Sequence, residues 1–215
     1  MIRYPIIVRD DFFEDPDSIV ELANSVDYFD MDSRWPGKRS DHLKNINESF
    51  YAYFVNKVFS AFGLAPSGCE MSATFQKISP FSENKWDAKN RGWIHVDSKY
   101  TVFGGIVYLN KNADKDTGTS IYKAKKGCFP LHTPSIKKEL YKGEDVNDDD
   151  YTQQYNEYTD QFEETVKVDN IYNRFLSFPS TALHGVRTCG TEERLTIPFF
   201  CHSVSNANKN KPLPN

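Results

Sequence analysis

A chain of 215 residues, 39% hydrophobic and 26% charged, is long enough to bury one sizeable core and leaves little room for a second domain. Its net charge of −4 gives no electrostatic reason to expect nucleic acid, and no apolar run approaches the roughly 20 residues that cross a bilayer. The opening MIRYPIIVRDDFF turns acidic too soon for a signal peptide, and Cys69, Cys128, Cys189 and Cys201 contain no CxxC pair, so a cytoplasmic protein without zinc knuckles or a disulfide framework is expected.

In chain order, a strand-like segment over 4–13 comes first. Asp15 then N-caps a helix whose first position is Pro16, and Ile19, Leu22, Ala23 and Val26 form its apolar stripe. Residues 30–40, with Trp35-Pro36-Gly37, read as a loop. A second helix is predicted over 46–62, with Ile46, Phe50, Phe54, Val58 and Phe62 on one side and Gly63 as its stop. From Glu70 the pattern changes to short strands, predicted at 71–78, 93–96, 101–109, 119–122, 173–178, 183–187 and 194–201. Helices first and strands afterwards fit an α+β plan, mainly β, in which the two N-terminal helices cover one sheet. Residues 133–170 interrupt the strands. They are polar and acidic, yet Tyr151, Tyr155, Tyr158, Phe162 and Val166 recur near helical spacing. Two readings stay open, a surface helix with a solvated acidic face and an insertion folded over a site mouth. The tail 205–215 is expected to be loosely held.

Chemistry concentrates at Trp93-Ile94-His95-Val96-Asp97. On a strand, residues i and i+2 share a face, so His95 and Asp97 project together while Ile94 and Val96 pack on the other side. An imidazole and a carboxylate so placed offer a metal two adjacent ligands, and His184 in Ala182-Leu183-His184-Gly185 offers a third. Two His and one carboxylate leave three positions of an octahedron open, the arrangement of non-haem iron(II) oxygenases. Alone, a His-x-Asp pair is often a hydrogen-bonded core pair, with Asp97 merely orienting His95, and His184 can equally be a turn histidine capped by backbone.

Arg194 follows His184 after the turn Thr188-Cys189-Gly190-Thr191, and a hairpin of that length returns it beside His184 in a neighbouring strand. The run Leu195-Thr196-Ile197-Pro198-Phe199-Phe200 is otherwise apolar, so the guanidinium needs an anionic partner. A ligand carboxylate held bidentately would provide one, as would a structural salt bridge to Glu192 or Glu193. Thr196 shares the face of Arg194 and adds a hydroxyl. Arg39, Lys38 and Arg91 are expected to face solvent, and His42, His132 and His202 to be surface or satisfied polar residues. With no GxSxG, P-loop or GxGxxG after a strand, hydrolase, NTPase and dinucleotide chemistry have no support.

The succession of His-x-Asp, a distal His and then Arg194 resembles the 2-oxoglutarate/Fe(II)-dependent oxygenase superfamily. The intervening text is similar to its prolyl-hydroxylase-like members: Val107-Tyr108-Leu109-Asn110, then Asp116-Thr117-Gly118-Thr119-Ser120-Ile121-Tyr122, then Asn173-Arg174-Phe175-Leu176-Ser177-Phe178-Pro179 ahead of His184. Trp35-Pro36-Gly37-Lys38-Arg39 and Gly118-Thr119 look closer to small bacterial and viral members, although Gly-Gly is commoner than Gly118-Thr119. The likeness is firmest over 93–200 and thinner in the N-terminal helices. It implies a double-stranded β-helix (jelly-roll) core in a single domain spanning 1–215, with an insertion at about 133–170. It further implies that His95, Asp97 and His184 bind Fe(II), and that Arg194, helped by Thr196 and Tyr108, pairs with the distal carboxylate of 2-oxoglutarate. O2 would be the second co-substrate, and a C–H bond of a small molecule or protein residue would be hydroxylated with release of succinate and CO2. A different class is a cupin-like metal- or ligand-binding jelly-roll module without turnover. Charge alone suggests that Asp148-Asp149-Asp150 favours cationic substrates.

Overall fold

Alternation and capping account for most of the elements in the computed structural model, which describes residues 4–30, 35–66, 68–127 and 133–204. Cys128, His132 and the tail 205–215 lie outside the described residues. Among the described residues, ten strands form two antiparallel sheets. The larger is ordered β1 (Ile7–Arg9), β8 (Phe175–Pro179), β5 (Phe103–Tyr108), β10 (Arg194–Ser203), β4 (Glu70–Ile78), β3 (Lys38–His42), β2 (Phe29–Asp30); the smaller is ordered β7 (Phe162–Val168), β6 (Thr119–Ala124), β9 (Leu183–Val186). Every pairing is antiparallel, so one face of each sheet can be apolar and the other can carry polar groups.

The period of two along β5 divides the molecule. Phe103 and Val107 point to one side, where they join Ile19 and Ala23 of α1 (Pro16–Asn24) and Phe50, Phe54 and Val58 of α3 (Glu48–Ala61) in the main aromatic core. Ile106 and Tyr108 point to the other side and pack with Ile121 of β6, Val168 of β7 and Leu176 and Phe178 of β8. Helices therefore cover the outer face of the large sheet, and the small sheet covers its inner face. Among the described residues no helix is long and apolar enough to cross a membrane.

Local chemistry explains where the elements begin and stop. Asp15 accepts a hydrogen bond from the Ser18 N–H at 3.2 Å and starts α1 at Pro16. The predicted helix over 46–62 is two: Asn47 is extended at φ −157°, its side chain accepts from Phe50 N–H at 2.9 Å, and it ends the short α2 (Leu43–Ile46) while starting α3. Gly63, at φ +65°, supplies the left-handed residue after α3. Residues 30–40 are not all loop, since β2 and β3 extend the edge of the large sheet. Segment 93–96 is not a strand. It meets the small sheet through a single antiparallel bridge, His95 to His184, and Val96 is about half exposed rather than packed.

Within 133–170 the structure forms α4 (Ile136–Tyr141), α5 (Asp148–Thr159) and β7. The acidic first turn of α5 is exposed, as a solvated face requires, but Tyr151, Tyr155 and Tyr158 are buried around Trp93, with ring centroids 5.2 to 5.8 Å away. Phe162 and Val166 leave the helical stripe and belong to β7. The Tyr158 hydroxyl donates to the Ile94 carbonyl at 2.7 Å, and the Trp93 indole N–H donates to the Tyr151 hydroxyl at 2.7 Å. Helix α5 is thus a clamp on the segment that carries His95. Replacing Tyr151 by Phe strands a buried indole donor, so we expect a loss of about 1–3 kcal/mol in urea unfolding; an unchanged midpoint would mean that the indole N–H finds another acceptor.

Candidate functional site

The two backbone hydrogen bonds of the bridge, His95 N–H to His184 carbonyl at 2.9 Å and His184 N–H to His95 carbonyl at 2.8 Å, hold the two imidazoles 4.4 Å apart between centroids. Each ring is then oriented by its own chain. His95 Nδ1 lies 2.8 Å from the Trp93 carbonyl and His184 Nδ1 lies 2.9 Å from the Ala182 carbonyl. A carbonyl only accepts, so Nδ1 carries the proton in both rings and Nε2 is left with a free lone pair. Asp97 therefore does not orient His95, because a backbone carbonyl already does so. Its Oδ1 instead faces His184 Nε2 at 3.6 Å, and its Oδ2 is buried without a hydrogen-bond partner.

His95, Asp97 and His184 can bring one donor atom each to within 4.8 Å of one another. Lone pairs facing one another with no proton between them form a site for a cation. Burial sets the protonation states to match. It pushes His184 down to about 4 and also lowers His95, which the neighbouring His184 lowers further, so both rings are neutral ligands at neutral pH. The same burial raises the Asp97 carboxyl, a cost that a bound cation would reverse. The residues present fit a divalent metal in the two-His, one-carboxylate mode. The carboxylate also has a fitted resting place: a Cβ on Gly104 would lie 2.7 Å from Asp97 Oδ2. A glycine pair inside the apolar strand Phe103-Gly104-Gly105-Ile106 is the sequence signal of such a close approach.

Arg194 enters the same cavity, of about 110 Å³, that His95, Asp97 and His184 line. It does not arrive by a hairpin: β9 pairs with β6 in the small sheet, whereas β10 pairs with β4 and β5 in the large one, so the turn containing Gly190 crosses between sheets. Its side chain is buried at 2% exposure, Nε donates to the Thr117 carbonyl at 2.9 Å, and both terminal nitrogens lack partners. Among the described residues no carboxylate pairs with it, and Glu193 bonds to Lys77 instead. Thr196 and Tyr108, opposite each other in the sheet register, stand behind the cavity wall. The Thr196 hydroxyl is buried and unpartnered. Tyr108 presents its ring 5.4 Å from the guanidinium carbon and donates its hydroxyl to Thr119, which does line the cavity.

Arg39 and Lys137 complete the lining, together with Trp35, Tyr141 and Phe200. Arg39 does not face solvent. It is buried at 8% exposure, with its guanidinium carbon 4.6 Å from the Trp35 ring. Lys137 and Tyr141 come from α4, so residues 133–170 do reach the site, though not through Asp148-Asp149-Asp150. His202 is bonded to Ser72 at 2.9 Å and His42 is exposed at the edge, both away from this cavity.

A family model described as DUF6445, a family of unknown function, matches residues 2–192. No curated protein matches the chain in sequence. Among solved structures, HygX from Streptomyces hygroscopicus with nickel, 2-oxoglutarate and hygromycin B bound is similar over 98% of this chain and 92% of its own, at 13% identity and a TM-score of 0.58. A prolyl hydroxylase in complex with a hypoxia inducible factor peptide fragment from Trichoplax adhaerens is similar over 92% of this chain and 83% of its own, at 12% identity and a TM-score of 0.54. An oxidoreductase of the 2OG-Fe(II) oxygenase family from Burkholderia pseudomallei covers 96% of this chain and 88% of its own, at 11% identity and a TM-score of 0.52. The chain has the fold of these oxygenases.

Two outcomes follow from the geometry. Gly104→Ala should displace the Asp97 carboxylate and weaken divalent-metal binding by roughly 10- to 100-fold in a calorimetric titration while the fold persists; unchanged affinity would remove Asp97 from the donor set. A carboxyl raised by burial confers stability only below the ordinary carboxyl range, and that contribution is lost as pH rises through its raised value. Asp97→Asn should therefore stabilise the metal-free chain at neutral pH by about 1–3 kcal/mol, with the gain shrinking toward pH 4. A gain independent of pH would point to packing rather than charge.

Proposed function

The chain belongs to the DUF6445 family, and from that premise and the geometry above we propose that it is an Fe(II)/2-oxoglutarate-dependent dioxygenase that hydroxylates a C–H bond with release of succinate and CO2. The observation that carries this reading is the Arg194 guanidinium, buried with two unpartnered donors in the cavity that holds His95, Asp97 and His184. A metal group alone suits many chemistries. A metal group beside a waiting cation suits a co-substrate that chelates at one end and carries a carboxylate at the other.

In this reading the two sheets are the halves of a double-stranded β-helix, α1 and α3 are its outer cover, and residues 133–170 are an insertion in a single domain. His95, Asp97 and His184 would hold Fe(II), which with 2-oxoglutarate and O2 supplies oxidising chemistry that side chains lack. The chain's own work is positional. The Trp93 and Ala182 carbonyls keep both imidazoles in the tautomer that presents Nε2. Gly104 leaves room for the Asp97 carboxylate. Arg194, fixed by the Thr117 carbonyl and backed by the Tyr108 ring, would take the distal carboxylate of 2-oxoglutarate bidentately, with the Thr196 hydroxyl as a further donor. Ile106, Phe178 and Pro198 give the cavity an apolar lining. The hygromycin B and peptide complexes of the similar structures leave both a small molecule and a protein residue open as the oxidised group.

Anaerobic titration with Fe(II) and then 2-oxoglutarate should produce a visible metal-to-ligand charge-transfer band that requires both. Asp97→Ala should abolish it. Arg194→Ala should retain iron and weaken 2-oxoglutarate by roughly 10- to 100-fold, the worth of hydrogen bonds to a charged group. No band in the wild type would overturn the proposal. A band without succinate release across a substrate screen would favour the cupin-like binding module instead.

A further inference from the structure

Once Arg194 is assigned to the co-substrate, the cavity still contains two cations that no described carboxylate meets in an ion pair, although Asp97 acts on Arg39 through space. Arg39 reaches it from β3 and Lys137 from α4, on different elements, and both line it together with His95 and Asp97. Among the described residues, no carboxylate forms an ion pair with either of them, and the Arg39 Nε is buried without a hydrogen-bond partner. Aromatic faces serve both instead: Arg39 lies over Trp35 at 4.6 Å and Phe200 at 5.9 Å, and Lys137 Nζ lies 5.6 Å from the Tyr141 ring. Burial lowers the Lys137 ammonium only to about 8, so it stays charged near neutral pH.

The surroundings show that these cations are not a by-product of a basic chain. The net charge is −4. A wider open groove adjoins the cavity and shares Trp35 and Tyr141 with it, and its lysines are paired: Lys38 with Asp30 at 3.8 Å, Lys77 with Glu193 at 3.5 Å, Lys142 with Glu144 at 3.6 Å. Each lysine of the groove has a carboxylate partner, whereas neither Arg39 nor Lys137 in the cavity forms an ion pair among the described residues. A buried cation without a counter-charge is costly unless something else supplies one, and the nearest carboxylate in the cavity, Asp97, is committed to the metal group. The acidic run Asp148-Asp149-Asp150 does not line the cavity, and Asp148 pairs with Lys89 at 2.8 Å, so the cavity presents Arg39 and Lys137 rather than this run.

We propose that the primary substrate is a small organic carboxylate with a flat apolar body, its anionic end met by Arg39 and Lys137 and its body lying against the aromatic wall of Trp35, Tyr141 and Phe200. The word substrate rests on the oxygenase reading; the binding preference rests on the cavity alone. Arg39 and Lys137 are specificity-determining residues in this scheme, and they act by rejecting cations as well as by pairing with anions.

The test uses three probes that share a phenyl ring and differ in charge: phenylacetate, phenylacetamide and phenethylamine. Each is titrated calorimetrically into the full chain under anaerobic conditions with Fe(II) and saturating 2-oxoglutarate, so that Arg194 is already occupied. Phenylacetate should bind at least about tenfold more tightly than the amide, and the amine should bind least. Lys137→Met should erase that preference with 2-oxoglutarate affinity unchanged, and Lys137→Glu should turn it toward phenethylamine. Equal affinity for all three probes overturns the proposal, as does a Lys137→Met variant that loses 2-oxoglutarate instead, which would assign Lys137 to the co-substrate. If the charge-transfer band is absent while the phenylacetate preference and its loss in Lys137→Met hold, the oxygenase reading falls and the anion site stands.

Discussion

Two backbone hydrogen bonds between His95 and His184 set the distance on which the site depends. A single antiparallel bridge joins a segment that is otherwise loop to the edge of the small sheet, and so brings residues distant in sequence into register. Because side chains alternate across an extended backbone, fixing His95 also fixes Asp97 two residues on, and the Asp97 N–H bond to the Ser180 carbonyl at 3.1 Å holds that end. The clamp from α5 then presses on the same segment from outside, through Trp93 and the Ile94 carbonyl. A loop segment becomes rigid because three separate elements fasten it, which a site built from precise donor positions requires.

The arrangement is expensive for the chain by itself. Three donor side chains face one another, His184 buried and His95 and Asp97 half-buried, Asp97 Oδ2 and both terminal nitrogens of Arg194 have no partners, and Thr196 keeps a bare hydroxyl. Each such group costs free energy when desolvated. Their grouping around one cavity is the informative part, because isolated unsatisfied groups suggest local strain, whereas acceptors on one side and donors on the other describe the missing partners. The acceptors ask for a cation and the guanidinium asks for a carboxylate. Placed beside the neutral tautomers of both histidines, that complementarity is more specific than the ligand triad alone.

Much of this was legible in the sequence, for physical reasons that differ by residue. Asp15-Pro16 and Gly63 mark helix ends through local capping chemistry, which needs no tertiary information. His95, Asp97, His184 and Arg194 stood out because polar groups in apolar surroundings need a partner. What the sequence hid depended on distant contacts. The break at Asn47 lies inside a continuous apolar stripe, so periodicity runs through it. β3 reads Lys-Arg-Ser-Asp-His, with no apolar alternation to betray a strand, and its Arg39 was therefore read as solvent-facing. The 93–96 segment reads as a strand because its residues alternate, yet a single bridge suffices to align His95 with His184. The crossing of the Gly190 turn between sheets could not be read from its length, because a hairpin and a crossover of equal length have the same sequence signature.

The segment over 133–170 shows how one stretch can serve two ends. The tyrosines of α5 lock the segment that carries His95 from behind, while α4, a few residues earlier, brings Lys137 and Tyr141 to the cavity. The part that rigidifies the donor set and the part that would meet a substrate are thus distinct helices on one connection. A substitution at Lys137 changes the charge at the cavity, whereas Ile136 and Leu140 of α4 pack in one core with Trp93 and the α5 tyrosines. Loosening α5 moves His95 itself. The charge at the cavity can therefore vary at Lys137 while the bridge, the α5 tyrosines and the Gly104 recess hold His95 and Asp97 in place.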